Sequence, residues 1–215
     1  LLRERFNSLD VLINNAGAMF QTRRTSVDGI EMTFALNHLA YFLLTSELLD
    51  LLVAAEQGRI VNVASAAHLR AKLDLDDLQM ERGYNGWAAY SRSKLANIYF
   101  TYSLAKELGG TRVTANCLHP GFVASAFGNN NGGLFGVMLG LAKRMAAISE
   151  REGARTSVHV ATDPSLALVT GQYFDKCQPA RSSAVSHDED VASALWARSE
   201  VLCGSPFKKT GAAFA

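Results

Sequence analysis

Apolar runs and helical stretches alternate along the first 120 residues. Residues 10–17 run from a short apolar segment, Val11-Leu12-Ile13, into a polar turn of small residues, Asn14-Asn15-Ala16-Gly17. An apolar run of this length suits a strand covered on both faces. Residues 28–52 place Ile30, Phe34, Leu36, Leu39, Phe42, Leu43 and Leu48 at helical spacing, and Gly58 stops that helix. A second buried-type strand follows over 59–65, then a polar loop. Residues 87–106 hold neither Pro nor Gly and predict a helix that Gly109-Gly110 ends. Residues 112–118 predict a third strand, closed by His119-Pro120-Gly121. Strand, helix, strand, helix, strand builds a parallel sheet with helices on both faces and right-handed crossovers. Ligands of such sheets bind beyond the carboxyl ends of the strands. Asn14, Ser65 and Pro120-Gly121 each stand at such an end.

The later third is less regular. Residues 122–145 join a polar, glycine-rich run (128–133) to an apolar one that includes Leu134, Phe135, Val137 and Met138. A glycine-hinged apolar flap over a lipophilic substrate is one reading, with 122–150 as the substrate-loop region; ordinary core or an oligomer contact is the other. Residues 152–162 predict a helix, 171–175 a last strand and 191–202 a last helix, and the tail from Gly204 reads as loose.

The length suits one domain, 1–215, and the 48% hydrophobic content is that of a folded chain rather than a disordered one. A net charge of +1 gives no ground for nucleic acid or an anionic membrane as partner. Cys117, Cys177 and Cys203 have no zinc or redox spacing, which fits a reducing, cytoplasmic compartment better than a disulfide framework. His38, His68, His119, His159 and His187 form no metal spacing, so no metal is expected. No uninterrupted apolar run is long enough to span a membrane. The opening Leu1-Leu2-Arg3-Glu4-Arg5-Phe6 reads as the tail of an amphipathic helix without an initiator Met, as in a piece of a longer protein.

Candidate chemistry centres on Tyr90 and Lys94. Four residues apart on a helix, their side chains share one face. A free phenol holds its proton to about pH 10; a cation fixed beside it favours the phenolate. Such a pair can exchange a proton with a reacting hydroxyl or carbonyl. Taken singly, Tyr-x3-Lys is a weak motif. Lys94 also reads as a surface lysine, Ser65 as a cap hydroxyl, Asn37 as an ordinary helical asparagine bonded to a nearby carbonyl, and Asn14-Asn15 as turn formers. Trp87 and Trp196 read as packing residues.

Taken together, Asn14-Asn15-Ala16-Gly17, Asn37, Ser65, Tyr90-x3-Lys94 and Pro120-Gly121 resemble the short-chain dehydrogenase/reductase family. Asp28-Gly29-Ile30-Glu31, the segments 37–45 and 59–68, and Ser93-Lys94-Leu95-Ala96-Asn97 are similar to its retinol dehydrogenase branch. The resemblance implies a Rossmann-type, doubly wound, three-layer α/β/α domain whose first strands are missing from these residues. The family's glycine-rich turn is absent, as is the residue that selects NAD or NADP. It implies an NAD(P)-dependent oxidoreductase interconverting an alcohol and a carbonyl, with NADP favoured over NAD and a small lipophilic substrate such as retinol or retinal.

By that resemblance Tyr90 is the acid or base, Ser65 bonds the substrate oxygen, and Lys94 lowers the Tyr90 pKa and binds the nicotinamide ribose. Asn37 holds a water that links Lys94 to solvent. The cofactor side comprises Asn14, Ala16, Gly17, Val63, Tyr90, Lys94, Pro120, Gly121 and Val123: Asn14 near the adenosine ribose, Ala16 and Gly17 leaving room at the backbone, and Pro120-Gly121 with the Val123 backbone near the carboxamide. The small-residue stripe Ala89, Ser93, Ala96 suits either a homodimer contact or packing within the chain. A silent dinucleotide sensor or scaffold and a protochlorophyllide reductase-like enzyme are the competing functions.

Overall fold

The computed structural model describes residues 2–123 and 148–208. A five-stranded sheet runs in chain order: β1 (Val11–Asn14), β2 (Arg59–Val63), β3 (Thr114–His119), β4 (Tyr173–Asp175) and β5 (Gln178–Ala180). The first four strands are parallel and β5 returns antiparallel to β4. Helix α1 is Leu2–Arg5, α2 is Met32–Ala54, α3 is Gly86–Glu107, α4 is Glu150–Thr162 and α5 is Glu189–Cys203.

Alternation along the strands sorts the two faces. Leu12, Ile60 and Ala115 meet Phe42, Leu52, Phe100 and Leu104 of α2 and α3. Val61, Val63, Leu118 and Phe174 meet Val160 and Ala161 of α4 on the opposite face. The layers are therefore helix, sheet, helix. All five β2 residues are buried, which is why an apolar run without alternation signalled this strand. By length and composition α2 could cross a membrane, but 61% of that apolar window is buried inside the fold. Its outward Glu47 and Asp50 pair with Arg3 of α1.

Three expectations change. Residues 28–31 are a turn, not the first turn of α2: Gly29 has φ +79, and the buried Glu31 carboxylate caps the helix by accepting the Thr33 and Phe34 N–H groups at 2.8 and 2.7 Å. Strand β5 went unseen because the two-residue turn before it is Lys176-Cys177, both at positive φ, where Asn and Gly are the usual signal. Residues 205–208 are docked: Phe207 is buried against Phe42, Phe100 and Trp196, and the Lys208 N–H donates to Ser46 Oγ. The flap read over 122–145 lies outside the described residues from 124 onward, as does most of 122–150.

Candidate active site

Helix α3 starts at Asn85, whose side chain accepts the Ala88 N–H. Its face toward the sheet carries Tyr90 and Lys94, both buried. Lys94 Nζ donates to the Val63 carbonyl at the end of β2, at 2.8 Å, and stands 5.9 Å from the centre of the Tyr90 ring and 5.5 Å from that of Tyr41. Ser65 follows β2 in extended backbone and caps a short 3-10 turn, accepting the Ala67 N–H. The Ser65 hydroxyl also hydrogen-bonds the Tyr90 phenol, which favours the phenolate. Three residues separated by up to 29 positions thus meet at the carboxyl end of the sheet.

Burial dominates the electrostatics. It pushes the Lys94 amine down to about 7 and pushes the Tyr90 phenol up, against the pull of the Ser65 bond. The expectation that Lys94 holds the phenol below its ordinary value is therefore corrected. Removing both groups from water disfavours both charged forms, and the amine spends its hydrogen bond on Val63. Val63 supplies the carbonyl that aims Lys94, with its side chain in the core.

Asn37 lies within a π-helical turn, Ala35–Leu39, inside α2; such bulges are frequent at functional sites. Its amide makes three hydrogen bonds. Oδ1 accepts the Ala18 N–H at 2.9 Å, and Nδ2 donates to the Ala18 carbonyl and to Ser93 Oγ, both at 2.9 Å. The side chain thus pins the turn after β1 onto α3. Gly17 lies over this clamp: a Cβ there would stand 3.2 Å from Asn37 Oδ1 and 3.4 Å from Lys94 Nζ. Asn15, Ala16 and Gly17 are exposed, so bare backbone passes over the buried amine. That is a suitable approach for a sugar or phosphate ligand.

Asn14 turns inward instead. Its Nδ2 donates to Thr45 Oγ1 and Asn62 Oδ1 at 3.0 and 2.8 Å, and Asn62 passes the bond on to Thr101. This buried polar row ties β1 and β2 to α2 and α3, and Asn14 Oδ1 stays buried without a hydrogen-bond partner among the described residues. Pro120 and Gly121 follow β3. Gly121 has φ +88, and a Cβ there would collide with Ile148, so glycine is required. Val123 forms a bridge to Ile148.

Trp87 packs against Tyr90 on one side only. It is 59% exposed, three residues before Tyr90 on the same helix, with ring centres 5.8 Å apart. Trp196 packs as expected, edge-on against Phe42 and tilted against Phe100. The stripe Ala89, Ser93, Ala96 is buried within the chain. Ser93 accepts from Asn37 and Ala96 packs in the cluster of Phe34 and Leu39, so this stripe serves intrachain packing. Among the described residues, no group of three or more His, Cys, Asp or Glu could hold a metal ion.

Residues 2–132 match the family model for short chain dehydrogenases. The chain belongs to the short chain dehydrogenase family. This short chain dehydrogenase is 43% identical over 198 residues to human retinol dehydrogenase 14, covering 91% of this chain and 59% of that protein. To human retinol dehydrogenase 13 it is 41% identical over 206 residues, with 94% and 62% covered. It therefore spans about three-fifths of the length of these relatives. Among solved structures, an uncharacterized protein from Mycobacterium paratuberculosis is 32% identical with a TM-score of 0.74, over 95% of this chain and 70% of that one.

Proposed function

We propose that this short chain dehydrogenase interconverts a lipophilic alcohol and its aldehyde or ketone with a nicotinamide dinucleotide. The observation that carries the reading is the meeting of the Ser65 hydroxyl, the Tyr90 phenol and the Lys94 amine at one strand end. The dinucleotide, when bound, supplies or accepts the hydride. The chain's own residues do the rest. The Tyr90 phenol gives its proton to the carbonyl oxygen in reduction and takes it back in oxidation. Ser65 donates to the same oxygen as charge builds on it. Lys94, whose amine burial pushes down to about 7, lies beneath the exposed backbone of Ala16 and Gly17, which with Pro120, Gly121 and the Val123 backbone would hold the cofactor. Asn37 keeps that backbone in place.

The preference for NADP over NAD rests on the resemblance to the retinol dehydrogenase branch, and a lipophilic substrate is supported by the similarity to named retinol dehydrogenases. The free thiols support a reducing, cytoplasmic setting. Titrating the full-length protein with NADPH and NADH, then assaying a panel of lipophilic aldehydes, tests the function. Turnover of at least one aldehyde is expected; binding without turnover across the panel would instead favour a silent sensor.

Trp87 offers an aromatic wall beside the proton donor. Trp87→Ala is expected to raise KM for a long-chain aldehyde about tenfold while kcat changes little, the loss of one buried aromatic contact with substrate. An unchanged KM would remove Trp87 from the substrate path.

A further inference from the structure

We propose that His68 and His119 form a paired clamp on the Ser65–Ala66 peptide and are positioning residues for the Ser65 hydroxyl. The proposal rests on the role given to Ser65 above and adds to it. The backbone ladder between β2 and β3 ends where Ala64 N–H donates to the Leu118 carbonyl at 2.8 Å. Pro120 brings no N–H to continue it. Imidazoles take over from there. His68 Nδ1 lies 2.6 Å from the Ser65 carbonyl, and His119 Nδ1 receives the Ala66 N–H at 3.2 Å. Both polar atoms of one peptide plane are thus held by side chains, one from the turn after Ser65 and one from the end of β3.

The partners fix the two tautomers in opposite senses. A carbonyl can only accept, so His68 carries its proton on Nδ1. Its Nε2 accepts the Ser183 N–H at 3.1 Å, which confirms the neutral form and ties the clamp to the segment after β5. A backbone N–H can only donate, so His119 Nδ1 must be bare and its proton sits on Nε2. The Ser65 carbonyl also accepts the His68 backbone N–H at 3.1 Å, so it is the exchange of the His119 ring for an apolar residue that frees an atom of that peptide, the Ala66 N–H. His68 is fully buried, with its ring 5.2 Å from that of Tyr173, so it has no access to solvent and no role as a surface base. With the peptide fixed on both sides, the Ser65 side chain leaves the backbone in one direction, toward Tyr90. A displacement of about 1 Å at such a group costs on the order of a hundredfold in rate.

Two measurements test the clamp. Ring 15N chemical shifts of the full-length protein at neutral pH are expected to show His68 neutral with Nδ1 protonated and His119 neutral with Nε2 protonated. The reverse tautomer at either ring, or a charged ring, overturns the clamp whatever the enzyme does. In turnover, His119→Phe keeps the ring volume and removes the acceptor, while His119→Asn keeps an acceptor near the position of Nδ1. His119→Phe is expected to lower kcat about tenfold or more with KM within about twofold, and His119→Asn to recover most of it. A folded His119→Phe protein with wild-type kcat, or one no worse than His119→Asn, overturns the positioning role. Wild-type protein inert toward every aldehyde removes the catalytic reading of Ser65, and this one with it, a result distinct from an active enzyme that ignores the substitution.

Discussion

Tyr90→Phe in the full-length protein is expected to lower turnover by about a thousandfold, within the range that one positioned proton donor supplies. Dinucleotide affinity is expected to stay within about twofold, because the phenol is spent on the reacting oxygen and the ring is retained. The ring packs beside Trp87, so its loss of one oxygen leaves the helix intact. Tyr90 is buried and burial raises its pKa, so it holds a proton at neutral pH and, on the proposed function, would serve most directly as the acid of reduction. Oxidation needs the phenolate and is therefore expected to gain from alkaline pH more than reduction does. Residual turnover within tenfold of wild type would mean that another group handles the proton.

Stability is expected to rise by about 2 kcal/mol between pH 7 and 8.5, at roughly 1.4 kcal/mol per unit. The source is Lys94. In the unfolded chain a lysine keeps its proton to about pH 10.4, whereas burial in the fold brings release at about 7. Between those values the unfolded state binds more protons, so raising the pH favours the native state. Below 7 both states are charged and the slope vanishes. The window closes where the ordinary range of thiols begins; from there upward Cys117, pushed up to about 12, and then the buried tyrosines reverse the trend. Histidines contribute at lower pH: His38, held down to about 4 by burial, adds stability as pH rises toward its unfolded value. Urea unfolding at a series of pH values measures the slope. Lys94→Met keeps the stem and lacks the titrating group, so its profile is expected to be flat across that window. A flat wild-type profile, or the same slope in the variant, would place the amine in contact with water.

The same amine matters to chemistry. A lysine poised near neutrality beneath bare backbone can follow the charge of whatever binds above it, and a negative or hydroxyl-rich ligand there raises the charged fraction. Stability and function pull in opposite directions at this residue. The fold tolerates a poorly solvated amine, held by one carbonyl, at the place where a dinucleotide and a substrate would meet. Trp87 and the histidine pair belong to the same neighbourhood, one at its mouth and the other behind Ser65.

Much of this protein was legible in the order of its residues. Apolar runs without alternation announced β1, β2 and β3 because parallel strands are covered on both sides. The i, i+4 spacing put Tyr90 and Lys94 on one helical face, and the strand-end positions of Ser65 and Pro120-Gly121 marked the rim where sheets of this kind take their ligands. Other features depend on who sits beside whom. The direction of the Tyr90 shift, the inward turn of Asn14 onto Thr45 and Asn62, and the use of the Val63 carbonyl by Lys94 come from neighbours dozens of residues away. So do the Asn37 clamp on Ala18 and the two imidazoles on one peptide. Local periodicity reports which face of an element is buried; desolvation and hydrogen bonding sum over every group that the packed sheet and helices bring within a few ångströms. Only the tertiary structure could decide the charge and aim of the side chains at this site.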